Sequence, residues 1–381
     1  MDEISPLMQS LLSAPLFLAF LLSATLIPFL RRLAINYDFT DLPGGRKQHK
    51  APVPLVGGIA IFIACAISIL VWGVPKNYDG VIVASTGIFI IGLIDDKYDL
   101  KASIRLILQT LLVVTALWWD SIWISQITIT PDMIINLSYF SYPLTVIVVL
   151  GIMNAINMLD GLDGLSSGIV LFIVGFLVGI SSISNESSSL LFAKIIFGAV
   201  FGFWLYNYRF AWREKASVFM GDSGTNLLGF ILPCIAIKLS SIASNQVSQT
   251  TLLWLFAIPI WDIVAVIVKR VREGRSPLSA GRDHIHHVLL KSGLTVRQSL
   301  HLIYLLSIAT VSFGLSLQFF KLSNLESYLT FTVFMVIYLG RVGSLYKKRD
   351  AEIYDFERLG DRRDEEDESV VNISTRRKTL S

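Results

Sequence analysis

Charged residues are scarce in this chain of 381 residues, since Asp, Glu, Lys and Arg together make up 16% of it. Soluble domains usually carry about 25% of these residues. Hydrophobic residues instead reach 53%, the mean hydropathy is +0.63, and the apolar residues occur in long uninterrupted runs. The shortage of charge excludes an ordinary water-soluble surface and predicts a protein embedded in a lipid bilayer.

Cysteine is also rare, and this excludes two further classes. The two cysteines, Cys65 and Cys234, both lie inside apolar runs, so neither a disulfide framework nor a thiolate metal site is expected. No basic segment precedes the first apolar run, and no cleavable signal peptide is expected. The net charge of +3 decides little by itself, and no nucleic-acid partner is expected.

The apolar runs predict an all-α polytopic membrane protein with about eleven transmembrane helices. The predicted spans are residues 13–30, 53–72, 79–94, 104–119, 142–156, 165–183, 190–206, 227–243, 252–268, 302–319 and 328–346. The third, fifth and eighth spans border acidic motifs, so we expect them to be broken or packed against other helices.

The basic residues of the connections determine the predicted orientation. Lys and Arg cluster in residues 31–50, 97–105, 209–215, 269–297 and 347–349, whereas the opposite side has few besides Lys76 and Lys321. The positive-inside rule therefore predicts an outer N-terminus and a cytoplasmic C-terminus. We expect one transmembrane domain in residues 1–349 and a charged, disordered tail in residues 350–381. Alternation in residues 123–130 predicts a small strand or hairpin at the outer surface.

Two acidic motifs border the predicted spans on the cytoplasmic side. Asp95 and Asp96 are adjacent carboxylates that repel each other, so a metal or a basic side chain should accompany them. The alternative is a solvated helix end. Asn154, Asn157 and Asp160 recur at steps of three residues, followed by Asp163. Oxygen ligands at this spacing suit a hard cation such as Mg2+, and the alternative is interhelical hydrogen bonding plus a turn.

Two further motifs indicate phosphate chemistry at the same surface. Asp222 lies in MGDSG directly before the eighth span, where helix N–H groups can approach a phosphate and the acid can bind its metal. An ordinary N-cap is the alternative. Lys47 and His49 belong to the basic stretch RKQHK, which can bind a lipid headgroup or a substrate phosphate. Charge that only sets the topology is the alternative.

A cluster of three histidines lies in the long basic connection after the ninth span. It consists of His284, His286 and His287, and Arg282 precedes it. Neutral histidine can bind a metal, whereas arginine or protonated histidine can hold phosphate oxygens. A zinc site is not indicated, because no cysteine accompanies the histidines. The alternative is a polar surface loop.

These motifs, in this order, resemble the polyprenyl-phosphate N-acetylhexosamine-1-phosphate transferase family. The resemblance covers residues 46–302 and extends to the eleven-span topology. RKQH, PLVGG, VFMGDSG and HIHH fit the branch that uses N-acetylglucosamine and undecaprenyl phosphate. The chain does not show the three-histidine-plus-acid pattern expected of the phospho-MurNAc-pentapeptide transferase branch.

The resemblance implies a multi-pass enzyme of the bacterial cytoplasmic membrane with its active site facing the cytoplasm. It would transfer N-acetylglucosamine-1-phosphate from UDP-N-acetylglucosamine to undecaprenyl phosphate, with release of UMP. The lipid product would carry the first sugar of a cell-surface polysaccharide. Mg2+ is the implied cofactor, and Mn2+ is the expected substitute.

The resemblance also assigns roles to individual residues. Asp222 matches the leading Mg2+ ligand, with Asn157 as a second, and Asp95 and Asp96 match the essential acidic pair. Asp222 is therefore also a predicted catalytic residue. The predicted substrate-binding residues are Lys47, His49, Arg105, Asn154, Asp160, Asp163, Arg282, His284, His286 and His287.

Several alternatives remain open at this point. Another UDP-N-acetylhexosamine could be the donor, and a polyprenyl-lipid transporter or a catalytically silent lipid-binding protein would also be a membrane protein. The acceptor phosphate has a second pKa near about 6, so direct displacement needs no strong base and is favoured over a covalent aspartyl intermediate. The sequence does not specify the oligomeric state, and a homo-oligomer remains open.

Overall fold

A computed structural model describes residues 6–41, 52–130, 132–213, 215–242, 247–276 and 281–346. Lys47, His49 and the predicted tail lie outside these residues. The helices are α1 Pro6–Asn36, α2 Gly57–Trp72, α3 Asp79–Tyr98, α4 Ala102–Trp119, α5 Ser141–Met158, α6 Leu165–Ile183, α7 Ser187–Asn207, α8 Gly221–Ile242, α9 Gln249–Leu255, α10 Ala257–Arg272, α11 Ile285–Lys291, α12 Val296–Phe319 and α13 Asn324–Tyr346.

The all-α polytopic fold is confirmed. Within the described residues, eight helices are long and apolar enough to cross a membrane, and the pair α9 and α10 makes a ninth candidate. The shorter α2 is also apolar, and α3 has three acids and a lysine near its ends. Each predicted span coincides with one of these helices or with the pair. The number of crossings and their orientation stay predictions.

Two details of the predicted spans differ from the structure. The third, fifth and eighth spans are continuous helices, and the break lies in the ninth span, where α9 and α10 meet at Phe256 with a bend of 68°. The second helix begins at Gly57 rather than at Val53, because Val53–Pro54 forms a short strand. The sequence predicts that these three spans are either broken or packed against other helices. The eighth span is packed inside the bundle, since nearly all of its residues are buried.

Two small antiparallel strand pairs complete the described fold. Strand β1 (Thr40–Asp41) pairs with β2 (Val53–Pro54). Strand β3 (Gln126–Thr130) pairs with β4 (Met133–Asn136), in the stretch for which the sequence predicts a strand or hairpin. Strand β2 and the first residue of α2 also bond to the approach to α8, because Phe219 N–H donates to the Pro54 carbonyl and Gly57 N–H donates to the Phe219 carbonyl.

Close helix packing places the first turn of α8 at the centre of the bundle. A Cβ atom at Gly92 of α3 would lie 2.4 Å from Ser223 Cα, and one at Gly58 of α2 would lie 2.4 Å from the Gly224 nitrogen. Small residues permit this approach of helix backbones, as is common in membrane bundles. The ends of α2 and α3 are thereby held against the turn that carries Asp222.

Candidate active site

Asp96 fixes the start of α8. Its carboxylate accepts hydrogen bonds from the N–H groups of Asp222 (2.7 Å) and Ser223 (3.1 Å). The first N–H groups of a helix have no partner within the helix, and a carboxylate at this end is favoured electrostatically. Gly221 has φ +74°, and a Cβ there would lie 2.6 Å from Asp96 Oδ2. Asp96 thus acts across helices as a cap that positions Asp222.

Asp95 and Arg105 form an ion pair beside this cap. The side chain of Asp95 is only 2% exposed, and its Oδ2 contacts Nη1 of Arg105. Its Oδ1 accepts the N–H of Leu100 at 2.9 Å. The same Arg105 nitrogen lies 3.3 Å from Asp222 Oδ2, so one guanidinium offsets the repulsion between two carboxylates.

Asn157 approaches Asp222 from α5. Its Nδ2 donates to Asp222 Oδ1 (2.6 Å) and to Thr225 Oγ1 (2.8 Å). These contacts turn the amide nitrogen toward Asp222, so a cation shared by the two residues would require the amide to rotate and present its oxygen. Asp222 is the more open acid, with 36% of its side chain exposed against 2% for Asp95.

The chemistry of this set fits Mg2+. Among the residues that the structure describes, no three His, Cys, Asp or Glu side chains surround one metal position. Mg2+ does not require such a set, because it commonly binds one or two carboxylates together with substrate phosphates and water. Asp222 and the Asn157 oxygen supply hard ligands, and the acids Asp95, Asp96 and Asp222 outnumber the single base Arg105.

The turn between α5 and α6 carries Asp160 and Asp163, which differ in their surroundings. Burial raises the pKa of Asp160, the nearby carboxylates of Asp222, Asp163 and Asp96 raise it further, and it reaches about 8. The Asp160 carboxyl is therefore mostly protonated at neutral pH. Asp163 instead accepts hydrogen bonds from Arg209 Nε and the Ala216 N–H, both at 2.8 Å. Asp163 thus organises the connection that leads to α8.

Asn154 lies one helical turn before Asn157 on α5. Its Nδ2 donates to the Leu150 carbonyl at 2.8 Å. This bond is local to the helix, and the structure adds no contact between Asn154 and the acidic cluster. Its predicted role in substrate binding stays a prediction.

The histidine cluster meets the α5–α6 turn at Gly161. His286 is buried, and a Cβ at Gly161 would lie 2.1 Å from its Nε2. Neither ring nitrogen of His286 has a hydrogen-bond partner in the described part of the chain. Burial lowers the pKa of His286 well below its usual value and, with His284 and Arg282, lowers that of His287 to about 4. Both rings are therefore neutral at pH 7.

Arg282 is a further cation of this loop. Its Nε is buried and has no hydrogen-bond partner among the described residues. The neighbouring Asp283 is engaged by Lys269 Nζ (2.6 Å) and Arg275 Nη2 (3.1 Å). Burial alone would raise the pKa of Asp283, but these two bases hold it at about 2. The Arg282 Nε is therefore a donor that an anion such as phosphate could accept from.

Two buried polar residues that the motifs do not contain also shape the site. Asn207 Oδ1 accepts from the Gly164 N–H (2.9 Å) and from Ser167 Oγ (2.8 Å). Asp262, in α10, contacts His284 Nδ1 at 2.8 Å. A polar residue inside or at the end of an apolar span is a signal that the sequence contains in both cases.

The structure thus brings most of the predicted residues together. Direct hydrogen bonds or ion pairs join Asp95, Asp96, Arg105, Asn157 and Asp222, and the α5–α6 turn links this cluster to the histidines. Asp163 and Asp96 engage backbone N–H groups. Such a centre combines hard-cation ligands, a neutral carboxyl group and free basic charge, which suits transfer of a phosphoryl group between two anions.

Comparisons with known proteins agree with this chemistry. Residues 78–240, which include α3 to most of α8, match the model of glycosyl transferase family 4. Undecaprenyl-phosphate alpha-N-acetylglucosaminyl 1-phosphate transferase of Escherichia coli K12 is 30% identical over 306 residues, 79% of this chain and 83% of the relative. The proteins of that name from Yersinia pestis (28% identical, 86% and 90%) and Pasteurella multocida (29%, 85% and 90%) are similar over more of the chain.

Proposed function

The chain belongs to glycosyl transferase family 4, with the undecaprenyl-phosphate N-acetylglucosaminyl 1-phosphate transferases, and from this premise we propose the following reaction. The enzyme transfers N-acetylglucosamine-1-phosphate to undecaprenyl phosphate, and UDP-N-acetylglucosamine is the donor. The observation that carries the proposal is the convergence of Asp95, Asp96, Arg105, Asn157 and Asp222 at the start of α8, in a chain similar to these transferases along most of its length.

The reaction joins two anions. An oxygen of the acceptor phosphate attacks the β-phosphorus of the donor, the bond from that phosphorus to the bridging oxygen breaks, and UMP leaves with the electron pair. Mg2+ held by Asp222 and Asn157 would neutralise diphosphate charge and stabilise the departing phosphate. Arg105 supplies charge within the acidic cluster, and Arg282 supplies it from the histidine loop.

The contacts of the acidic pair support direct displacement. Asp95 is bound by Arg105 and the Leu100 N–H, and Asp96 is bound by two N–H groups of α8. Neither carboxylate is placed as a free nucleophile. The acceptor phosphate has a second pKa near about 6, so most of it has no proton to lose at pH 7. Burial keeps the pKa of Asp160 raised, and the protonated carboxyl can donate a hydrogen bond to a phosphate oxygen.

We place the site at the cytoplasmic face of the bacterial inner membrane. Support comes from charge, because the cluster lies at the end of α3, the start of α8 and the connection before α11, where lysine and arginine concentrate. Basic residues of short connections favour the cytoplasm. UDP-sugars are soluble, whereas the acceptor is confined to the bilayer, so a site at this boundary can reach both.

An assay of UMP release with the purified protein tests the proposal. UDP-N-acetylglucosamine, undecaprenyl phosphate and Mg2+ should yield UMP and glycolipid in equal amounts, and EDTA should abolish both. Asp222→Asn should be inactive, whereas Asp132→Asn, at an exposed position away from the cluster, should match the wild type.

Parallel reactions with UDP-N-acetylgalactosamine measure the choice of donor. Turnover with that donor alone would replace the proposed sugar. An absence of UMP with every UDP-sugar, or activity that survives EDTA, would contradict the proposed chemistry.

A further inference from the structure

Asp262 is a buried carboxylate in the apolar helix α10, outside the acidic motifs. Only 1% of the surface of Asp262 is exposed. A charged group in such surroundings is costly unless its oxygens are hydrogen-bonded. Oδ2 lies 2.8 Å from His284 Nδ1, and Oδ1 accepts the N–H of Ile285 at 2.8 Å. Both oxygens therefore hold the segment that carries the histidines.

A second helix also supports this contact. The Tyr338 hydroxyl of α13 donates to Asp262 Oδ1 at 3.4 Å. The Tyr346 hydroxyl, from the same helix, donates to the backbone carbonyl of Asp283. The histidine segment is thus fixed from two spans, which indicates a preset orientation of His284.

The contact with Asp262 determines which nitrogen of His284 can bind a ligand. A carboxylate accepts hydrogen bonds, so His284 Nδ1 must carry a proton, and Nε2 is the nitrogen left for another partner. The His284 ring is parallel to that of His286 within 8°, with the centroids 5.9 Å apart. His286 in turn packs against Gly161 of the α5–α6 turn. The orientation of His284 is therefore linked to the turn that carries Asp160.

We propose that Asp262 is a positioning residue for the transfer reaction, which keeps His284 protonated at Nδ1 and directs Nε2 to the UDP-sugar. The inference rests on the proposed function, because it assigns a task within that site. The functional site thereby includes, besides the histidine motif, a carboxylate that lies 22 residues earlier on another helix. Carboxylates that orient a functional histidine in this manner commonly fix its tautomer.

Replacement of Asp262 by asparagine separates this task from simple support of the fold. The asparagine oxygen can still accept the Ile285 N–H, but its NH2 group would face His284 Nδ1 and require that nitrogen to accept. His284 would then be protonated at Nε2. Replacing a carboxylate that fixes the tautomer of a functional histidine typically lowers activity about 10- to 100-fold. We expect kcat/KM for the UDP-sugar to fall by this factor, while the thermal midpoint stays near that of the wild type.

A double-mutant cycle with His284→Gln tests the linkage. If Asp262 acts through His284, Asp262→Asn should cause little further loss in a His284→Gln protein. The inference would be overturned if the kcat/KM losses of the two single variants multiplied in the double variant. It would also be overturned if the Asp262→Asn enzyme had a kcat/KM within twofold of the wild type. Asp132→Asn is the control, because Asp132 is exposed and lies outside this site, and it should keep kcat/KM within twofold.

A spectroscopic measurement covers the case in which Asp262→Asn does not fold. The 15N-histidine spectrum of the wild type, with His284 assigned from the His284→Gln protein, should show a protonated Nδ1 at pH 7. A His284 protonated only at Nε2 would overturn the inference. An inactive wild type would refute the proposed function instead, so the two failures are distinguishable.

Discussion

Asp96 and Asp222 lie side by side, and removing each side chain should have different consequences. Asp96→Ala leaves the N–H groups of Asp222 and Ser223 without their acceptor. A buried polar group that loses its partner costs about 1–3 kcal/mol. Two such groups at one helix end therefore predict about 2–6 kcal/mol of destabilisation, together with loss of activity, because the turn that carries Asp222 is no longer fixed.

Asp222→Ala should instead remove activity with little change in stability. Its side chain is 36% exposed, its contact with Arg105 spans 3.3 Å, and Asn157 Nδ2 keeps Thr225 Oγ1 as an acceptor when Asp222 Oδ1 is removed, so the loss of both contacts should cost about 1–2 kcal/mol. Its removal also relieves repulsion from the other two acids. Thermal or denaturant unfolding in one detergent, alongside UMP release, compares the two variants. An Asp96→Ala protein as stable as Asp222→Ala would refute the assignment of Asp96 as the cap of α8.

Three further predictions concern a titrating group, a cation and a glycine. Asp160 binds its proton up to a pKa of about 8 in the folded protein and only to about 4 when unfolded, so the native state holds more protons between these values and stability should fall as pH rises through them. Asp160→Asn should flatten that decline in the thermal midpoint, and an unchanged slope would contradict the pKa. Arg282→Ala should raise KM for the UDP-sugar about tenfold, as expected for a lost charge-assisted hydrogen bond, while the midpoint stays unchanged; an unaltered KM would exclude the phosphate contact. Gly92→Ala should destabilise the protein by about 1–3 kcal/mol, as overpacking does, because its Cβ would lie 2.4 Å from Ser223 Cα. The control Gly151→Ala meets no atom within 4 Å, and equal losses in the two alanine variants would contradict the packing.

The helices were predictable because a bilayer imposes long apolar runs on the sequence. The ends of the helices were less predictable, since Val53–Pro54 pairs as a strand before α2 begins. The bend at Phe256 was missed as well. Pro259 is a signal of the break, because it has no N–H to bond to the Leu255 carbonyl of a continuous helix. The apolar composition continues across the break, so hydropathy alone could not reveal the change of direction.

The site was predictable as a set of residues but not as a set of contacts. The acidic motifs identify Asp96 and Asp222, yet nothing in either motif shows that a carboxylate caps a helix that begins 125 residues later. Asp163 likewise bonds to Arg209 through a turn whose geometry depends on packing. Asp262 could have been singled out as an acid within an apolar span, but its partner His284 follows only from the fold.

A titration of the purified protein with Mn2+ in the presence of UDP tests most directly whether this cluster is a metal-dependent transfer site. Electron paramagnetic resonance measures the bound Mn2+. We predict one bound Mn2+ per wild-type chain, displaced by excess Mg2+, and binding weakened by Asp222→Asn but not by Asp132→Asn. Equal Mn2+ binding by the wild type and Asp222→Asn, or no binding in the presence of UDP, would contradict the account.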